Sequence, residues 1–97
     1  MPTYIKLYKL TEKGAANMKD APARIMTNIQ AFEKTGGKLI GFYAVMGEYD
    51  YIGIGEGPSD EAAAAFSLAT SALGNVTTTT LRAFTIDEFA EIVKKIP

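Results

Sequence analysis

Two strand-like runs joined by a four-residue turn constrain this chain more than any other feature. Lys38 to Met46 (KLIGFYAVM) leads into Gly47-Glu48-Tyr49-Asp50, and Tyr51 to Glu56 (YIGIGE) leads out of it. Residues of high β preference on both sides of a turn containing Gly and Asp predict a β-hairpin. The first run is apolar on both faces, which a strand tolerates only where both sides of its sheet are covered. A single helix layer covers one side. The other calls for a second subunit or a lid.

The rest of the chain supplies partners for that hairpin. Tyr4 to Leu10 alternates and reads as a strand. Thr11 offers a cap to a helical turn that Gly14 and Pro22 keep short, so the main helix is expected from about Ala21 to Thr35. Asp20 is its expected N-cap, Pro22 lies in its first turn, and Gly36-Gly37 stops it. Met18, Ile25, Ile29 and Phe32 form its expected buried stripe. After the hairpin, Gly57-Pro58-Ser59 turns the chain into a second helix whose first turn is acidic (Asp60, Glu61). Its expected inward stripe is Ala62, Phe66, Ala69 and Leu73, with Gly74 as the left-handed cap. Val76 to Ala83 (VTTTTLRA) is the fourth strand by its β-branched content. Thr85 followed by Glu88 is a capping box, which starts a last helix at Ile86 carrying Ile86, Phe89, Val93 and Ile96 on one face.

That order predicts an α+β, ferredoxin-like βαββαβ domain with a C-terminal helix, spanning residues 1–97 as one unit. The four-stranded antiparallel sheet has spatial order 4-1-3-2, and both crossover helices lie on one face. The aliphatic set Ile5, Leu7, Ile52, Ile54, Leu81 and Ala83 is assigned to the helices. By alternation the open face then receives Tyr4, Lys6, Tyr8, Tyr51, Gly53, Gly55, Thr78, Thr80 and Arg82. A two- or four-residue hairpin loop pairs Met46 with Tyr51 and sets Phe42 opposite Gly55; an odd loop reverses the faces of that strand.

Composition removes most reaction chemistry. The chain has no cysteine and no histidine, so thiolate and imidazole catalysis, disulfides and Cys/His metal sites are unavailable within it. A net charge of −1 gives no basic surplus for a phosphate backbone or an anionic membrane. RNA-recognition modules of similar strand order need aromatic residues in the third strand, where this chain has Gly53 and Gly55. No apolar run approaches a membrane span, and a cytoplasmic location without nucleic-acid or membrane partners is expected.

What remains is a groove. Lys6, Tyr8, Phe42, Gly53, Gly55, Thr78, Thr80 and Arg82 are the candidate ligand-binding residues, with the two glycines as its floor. Arg82 must find an anion: Asp50, Glu48 or a ligand. The Gly47–Asp50 turn reads in two ways. Glu48 and Asp50 could act as oxygen ligands and Tyr49 as a recognition ring, or the turn serves structure alone, with Gly47 at positive φ and Asp50 bonded to backbone. No metal site is expected, since Mg²⁺ or Ca²⁺ needs more ligands than these two and only Glu56 and Asp60 are further candidates. Gly53-x-Gly55-x-Gly57 sits in a strand with the wrong spacing for a dinucleotide fingerprint, and no cofactor is expected.

Several of these segments together resemble the GYD-domain family: Gly-Gly-Lys-Leu-Ile-Gly-Phe-Tyr (36–43), the Gly47-Glu48-Tyr49-Asp50 turn, Glu56-Gly57-Pro58 and Leu81-Arg82-Ala83-Phe84-Thr85. The similarity extends to Thr11, Gly14, Pro22, Arg24 and Gly74-Asn75. It implies a ferredoxin-like subunit similar to the dimeric α/β-barrel proteins, in which two sheets pack face to face, and hence a homodimer or higher homo-oligomer. It carries no activity. The functional expectation is a small self-associating protein that holds a small organic or metabolite ligand on the open sheet face. The alternatives are a cofactor-independent enzyme of the monooxygenase or isomerase kind using Tyr8, Lys6 or Arg82, and a structural oligomer without a ligand.

Overall fold

Local signals place the elements in a computed structural model that describes all 97 residues, Met1 to Pro97. Strand β1 (Thr3–Leu10) ends at Thr11, whose hydroxyl caps the short helix α1 (Glu12–Ala16) by accepting from the Gly14 N–H. A 3₁₀ turn, Met18–Asp20, feeds directly into α2 (Ala21–Lys34). Asp20 therefore does not cap α2 with its side chain, contrary to the sequence expectation: the preceding turn binds the Ala21 N–H to the Met18 carbonyl instead. Gly36, at φ 92°, releases the chain into β2 (Lys38–Ala44). β3 (Tyr51–Glu56) returns, Ser59 caps α3 (Asp60–Ala72), Gly74 turns at φ 82°, and β4 (Val76–Ala83) follows. The Thr85–Glu88 capping box opens α4 (Ile86–Val93) with both reciprocal hydrogen bonds formed.

The sheet is antiparallel with order β2-β3-β1-β4, the expected arrangement read from its other edge. β1 is central, pairing Tyr8 with Tyr51 and with Thr78. The β2–β3 register differs from expectation by two residues. β2 ends at Ala44, which pairs with Tyr51, and Phe42 lies opposite Gly53 rather than Gly55. The connection is six residues long, closed by the Val45 N–H donating to the Asp50 carbonyl at 2.9 Å, and a bulge at Ile40 re-aims the strand start. Because the loop is still even-numbered, Phe42 keeps its face.

The faces of the sheet are the reverse of the assignment made from alternation. Tyr4, Tyr8 and Tyr51 are 7–8% exposed, buried beneath the helices with Gly53 and Gly55. Thr80 and Thr78 reach the Ser67 and Ser71 hydroxyls of α3 at 2.8 and 3.5 Å. The aliphatic set Ile5, Leu7, Ile52, Ile54 and Leu81 therefore faces away from the helices. The cause lies in α3, whose inward residues are Phe66, Ser67, Thr70 and Ser71 rather than Phe66, Ala69 and Leu73. Small and hydroxyl-bearing side chains leave room for tall tyrosines and satisfy the threonines of β4, which an aliphatic helix face would strand. On α2, Ile25, Ile29 and Phe32 turn inward as expected, while Met18 is 47% exposed.

Two apolar surfaces are left without cover. The open sheet face carries the aliphatic set, with Leu81 45% and Tyr43 58% exposed. Every residue of α4 is exposed, Ile86 at 81% and Phe89 at 55%, although the helix is amphipathic. The chain is elongated accordingly, 52 × 30 × 19 Å.

Candidate functional site

The glycines of β3 shape a cleft between the sheet and helices α2 and α3. Gly53 and Gly55 face the helices, and a Cβ at Gly53 would lie 3.2 Å from Phe42 and one at Gly55 3.1 Å from Phe32. Space that side chains on β3 would occupy is instead ringed by Tyr4, Tyr8, Ile29, Phe32, Leu39, Phe42 and Phe66, with Asn28 at one end. The cavity holds about 50 Å³. Aromatic contacts brace its walls: Tyr8 and Phe42 ring centres are 5.5 Å apart, as are those of Phe32 and Phe66.

One charged group enters it. Lys6, at the middle of β1, points under the helices with its Nζ 4.4 Å from the Phe66 ring centre and 5.8 Å from that of Tyr8. The ammonium makes no hydrogen bond and lies within 4.0 Å of no carboxylate; the ion pairs of the chain are Lys9–Glu48, Arg82–Asp60 and Lys94–Glu91. Cation–π attraction replaces part of its lost hydration. Burial lowers its pKa to about 8. The same burial pushes the Tyr8 hydroxyl up to about 12, so that Tyr8 stays a neutral donor. Tyr8 OH has no hydrogen-bond partner within the chain, and the Asn28 amide donates to Thr70 at 3.2 Å.

Of the eight groove residues expected from sequence, the structure unites Lys6, Tyr8, Phe42, Gly53 and Gly55, on the helix side rather than on the open face. Thr78 and Thr80 share that side, with their hydroxyls against α3. Arg82 stands apart at the far end of β4. Its Nε is 3.7 Å from Asp60, its guanidinium is 4.7 Å from the Phe84 ring centre, and it donates to the Ala83 carbonyl. The expected contact with Asp50 or Glu48 is not made. Asp60 also accepts from Tyr4 OH at 2.6 Å, and burial followed by this bond raises Tyr4 to about 12. Of the residues missed from sequence, Asn28, Ile29, Phe32 and Phe66 belong to the helices that the face reversal brought over the cleft, and Leu39 of β2 is turned to that side by the bulge at Ile40.

The Gly47–Asp50 turn is occupied with structure. Gly47 has φ 113°, the Asp50 N–H donates to the Tyr8 carbonyl at 2.8 Å, and its carboxylate accepts from the Leu10 N–H at 2.8 Å. Glu48 pairs with Lys9 at 3.6 Å, and Lys9 lies 5.3 Å from the Tyr49 ring centre. The turn thus ties the hairpin to the end of β1. No three acidic side chains gather anywhere in a metal-binding cluster, and no helix is long and apolar enough to cross a membrane. A second cavity of about 60 Å³ lies between α2, α3 and the end of β1, lined by Tyr8, Ala21, Asn28, Thr70 and Val76 among others.

Comparison with known proteins finds similarity along nearly the whole chain. A family model described as the GYD domain matches residues 4–93. The protein named "Glutamine synthetase and cystathionine beta-lyase binding protein" from Thermus thermophilus is 33% identical over 95 residues, spanning 97% of this chain and all of that protein. No solved structure matches.

Proposed function

This chain belongs to the GYD-domain family, and from that premise we propose that it is a self-associating protein-binding module whose partners are metabolic enzymes of the kind named for its Thermus thermophilus relative. The observation that carries the reading is the pair of uncovered apolar surfaces, the Ile5/Leu7/Ile52/Ile54/Leu81 sheet face and the amphipathic α4. A sheet face of four strands, averaging about 25 Å in length and spaced ~4.8 Å apart, has a footprint of roughly 450 Å². Thr77 and Thr79 share that face with the aliphatic set, so its apolar part is smaller than this and short of the ~800 Å² per partner of a standard interface. Packing two such faces together, with α4 of each chain laid against the other, makes up the difference. The dimer so formed buries what the single chain cannot.

The enzyme-binding part rests on the relative's identity along its whole length. Size-exclusion chromatography of the purified protein with glutamine synthetase, and separately with cystathionine β-lyase, of its own host tests it. Co-elution of either enzyme at micromolar concentration is expected; independent elution of both refutes enzyme binding while leaving self-association standing.

A second reading, a small-molecule site, is favoured by one observation, the unpaired Lys6 ammonium in the aromatic cleft. A catalytic version of it would use Lys6 and Tyr8 without Arg82, which lies outside the cleft.

A further inference from the structure

We propose that the cleft between the sheet and helices α2 and α3 binds a small monocarboxylate, held by the Lys6 ammonium and the Tyr8 hydroxyl with its apolar body against Phe32, Phe42 and Phe66. This rests on the small-molecule reading of the cleft and adds the chemical class.

A partly buried cation normally has an anion beside it, because desolvating a charge without pairing it is costly. Lys6 has none: its neighbours are the faces of Phe66 and Tyr8. Two donors that reach solvent but bond nothing within the chain therefore meet at one cavity, the ammonium and the Tyr8 hydroxyl, and a carboxylate offers two oxygens to accept from them. The cleft carries one positive charge. A dianion such as a phosphate monoester would be left half neutralised in an apolar setting, whereas a monocarboxylate is matched.

Size and lining narrow the class further. A buried water needs about 10–15 Å³ by this measure of volume, so the roughly 50 Å³ cleft holds three to five waters, the room of about six bonded heavy atoms, which pack closer than separate waters. Its walls are aromatic and aliphatic, so a ligand with a short branched or flat apolar body displaces water at least cost. The glycine floor matters here as well: with side chains at Gly53 and Gly55 the space would be filled against Phe42 and Phe32.

Binding is expected to depend on pH through Lys6. The groups facing it from α2, α3, β2, β3 and β4 are apolar, amide or hydroxyl, Thr80 being its cross-strand neighbour on β4, and the other titratable groups at the cleft, Tyr4 and Tyr8, are both raised to about 12 and stay neutral. With Lys6 at about 8 in the free protein, the ammonium needed for binding is lost as pH rises above that value.

The test is an ¹H–¹⁵N NMR titration of the full chain with isobutyrate and with its neutral isostere isobutyramide, reading the Gly53 and Gly55 amides. Isobutyrate is expected to shift both saturably at pH 7, to bind at least tenfold more tightly than isobutyramide, and to lose at least tenfold in affinity by pH 9.5. Lys6→Met should erase the preference for the acid while keeping a folded spectrum. Tyr8→Phe, which keeps the ring, should weaken isobutyrate by about threefold or more. If acid and amide bind equally and Lys6→Met leaves both unchanged, the carboxylate assignment is overturned and the cleft survives as an uncharged pocket. If neither compound moves Gly53 and Gly55, the small-molecule reading falls together with it.

Discussion

The Asp50 carboxylate accepts a hydrogen bond from the Leu10 backbone N–H at 2.8 Å, while the Asp50 N–H donates to the Tyr8 carbonyl at the same distance. The last residue of the hairpin turn is thereby fastened to the end of the central strand. The turn, which the sequence reads either as a set of binding groups or as a structural device, acts as a clasp that holds β3 in register beside β1.

Asp50→Ala removes a charged acceptor and leaves the part-buried Leu10 N–H without its partner. Loss of such a bond costs about 1.5–3 kcal/mol. Asp50→Asn keeps an acceptor oxygen and should cost less. Urea denaturation of the two variants checks this ordering, and equal midpoints for wild type and Asp50→Ala would remove the clasp.

Gly14 lies where α1 crosses the chain leading into β4. Thr11 binds there twice, N–H to the Asn75 carbonyl at 3.0 Å and hydroxyl to the Gly74 carbonyl at 2.6 Å, and a Cβ on Gly14 would overlap the Asn75 carbonyl oxygen. Gly14→Ala must push backbone from backbone. A loss of about 1–3 kcal/mol is expected, comparable to other overpacking substitutions. Differential scanning calorimetry should place its transition several degrees below wild type; an unchanged midpoint would mean that α1 can lift off freely.

Element order and boundaries were legible because each rests on a local signal: the Thr85–Glu88 box, Pro22 in a first turn, Gly36 and Gly74 at positive φ. The choice of sheet face was not. Alternation separates Ile5 and Leu7 from Lys6 and Tyr8, but it does not say which set lies under the helices. The deciding information sat in α3, where Ser67 and Ser71 recur at helical spacing and match the hydroxyls of Thr80 and Thr78. The aliphatic face turned away from the helices is the one that the proposed self-association would cover. For Arg82 the difficulty was of the same kind: its partner Asp60 opens α3 and comes within reach only with the helix side chosen correctly.

Lys6 gives stability a pH signature. Its pKa in the folded chain, about 8, lies below the ordinary 10.5, so the unfolded chain binds more protons between those values. Stability contributed through Lys6 therefore rises with pH from about 8 to about 10 and is at its lowest, and constant, below pH 8. Lys6→Met removes this penalty. It should stabilise the protein by about 1–3 kcal/mol at pH 7, less than the full shift would give because the amine keeps a path to solvent. The gain should shrink toward pH 10. Chemical denaturation of wild type and variant at pH 7 and pH 9.5 measures both; a variant no more stable at pH 7 would show that the ammonium is not desolvated.

The uncovered apolar surfaces are tested most directly by mass in solution. Multi-angle light scattering of the wild-type protein at micromolar concentration should give at least twice the 10.4 kDa chain mass. Leu81→Glu, which sets a charge on the open sheet face at edge strand β4, beside Ile5, without touching the helix side, should return the monomer mass with its secondary structure intact. A wild-type protein that runs as a stable 10.4 kDa monomer at that concentration would contradict self-association through this face.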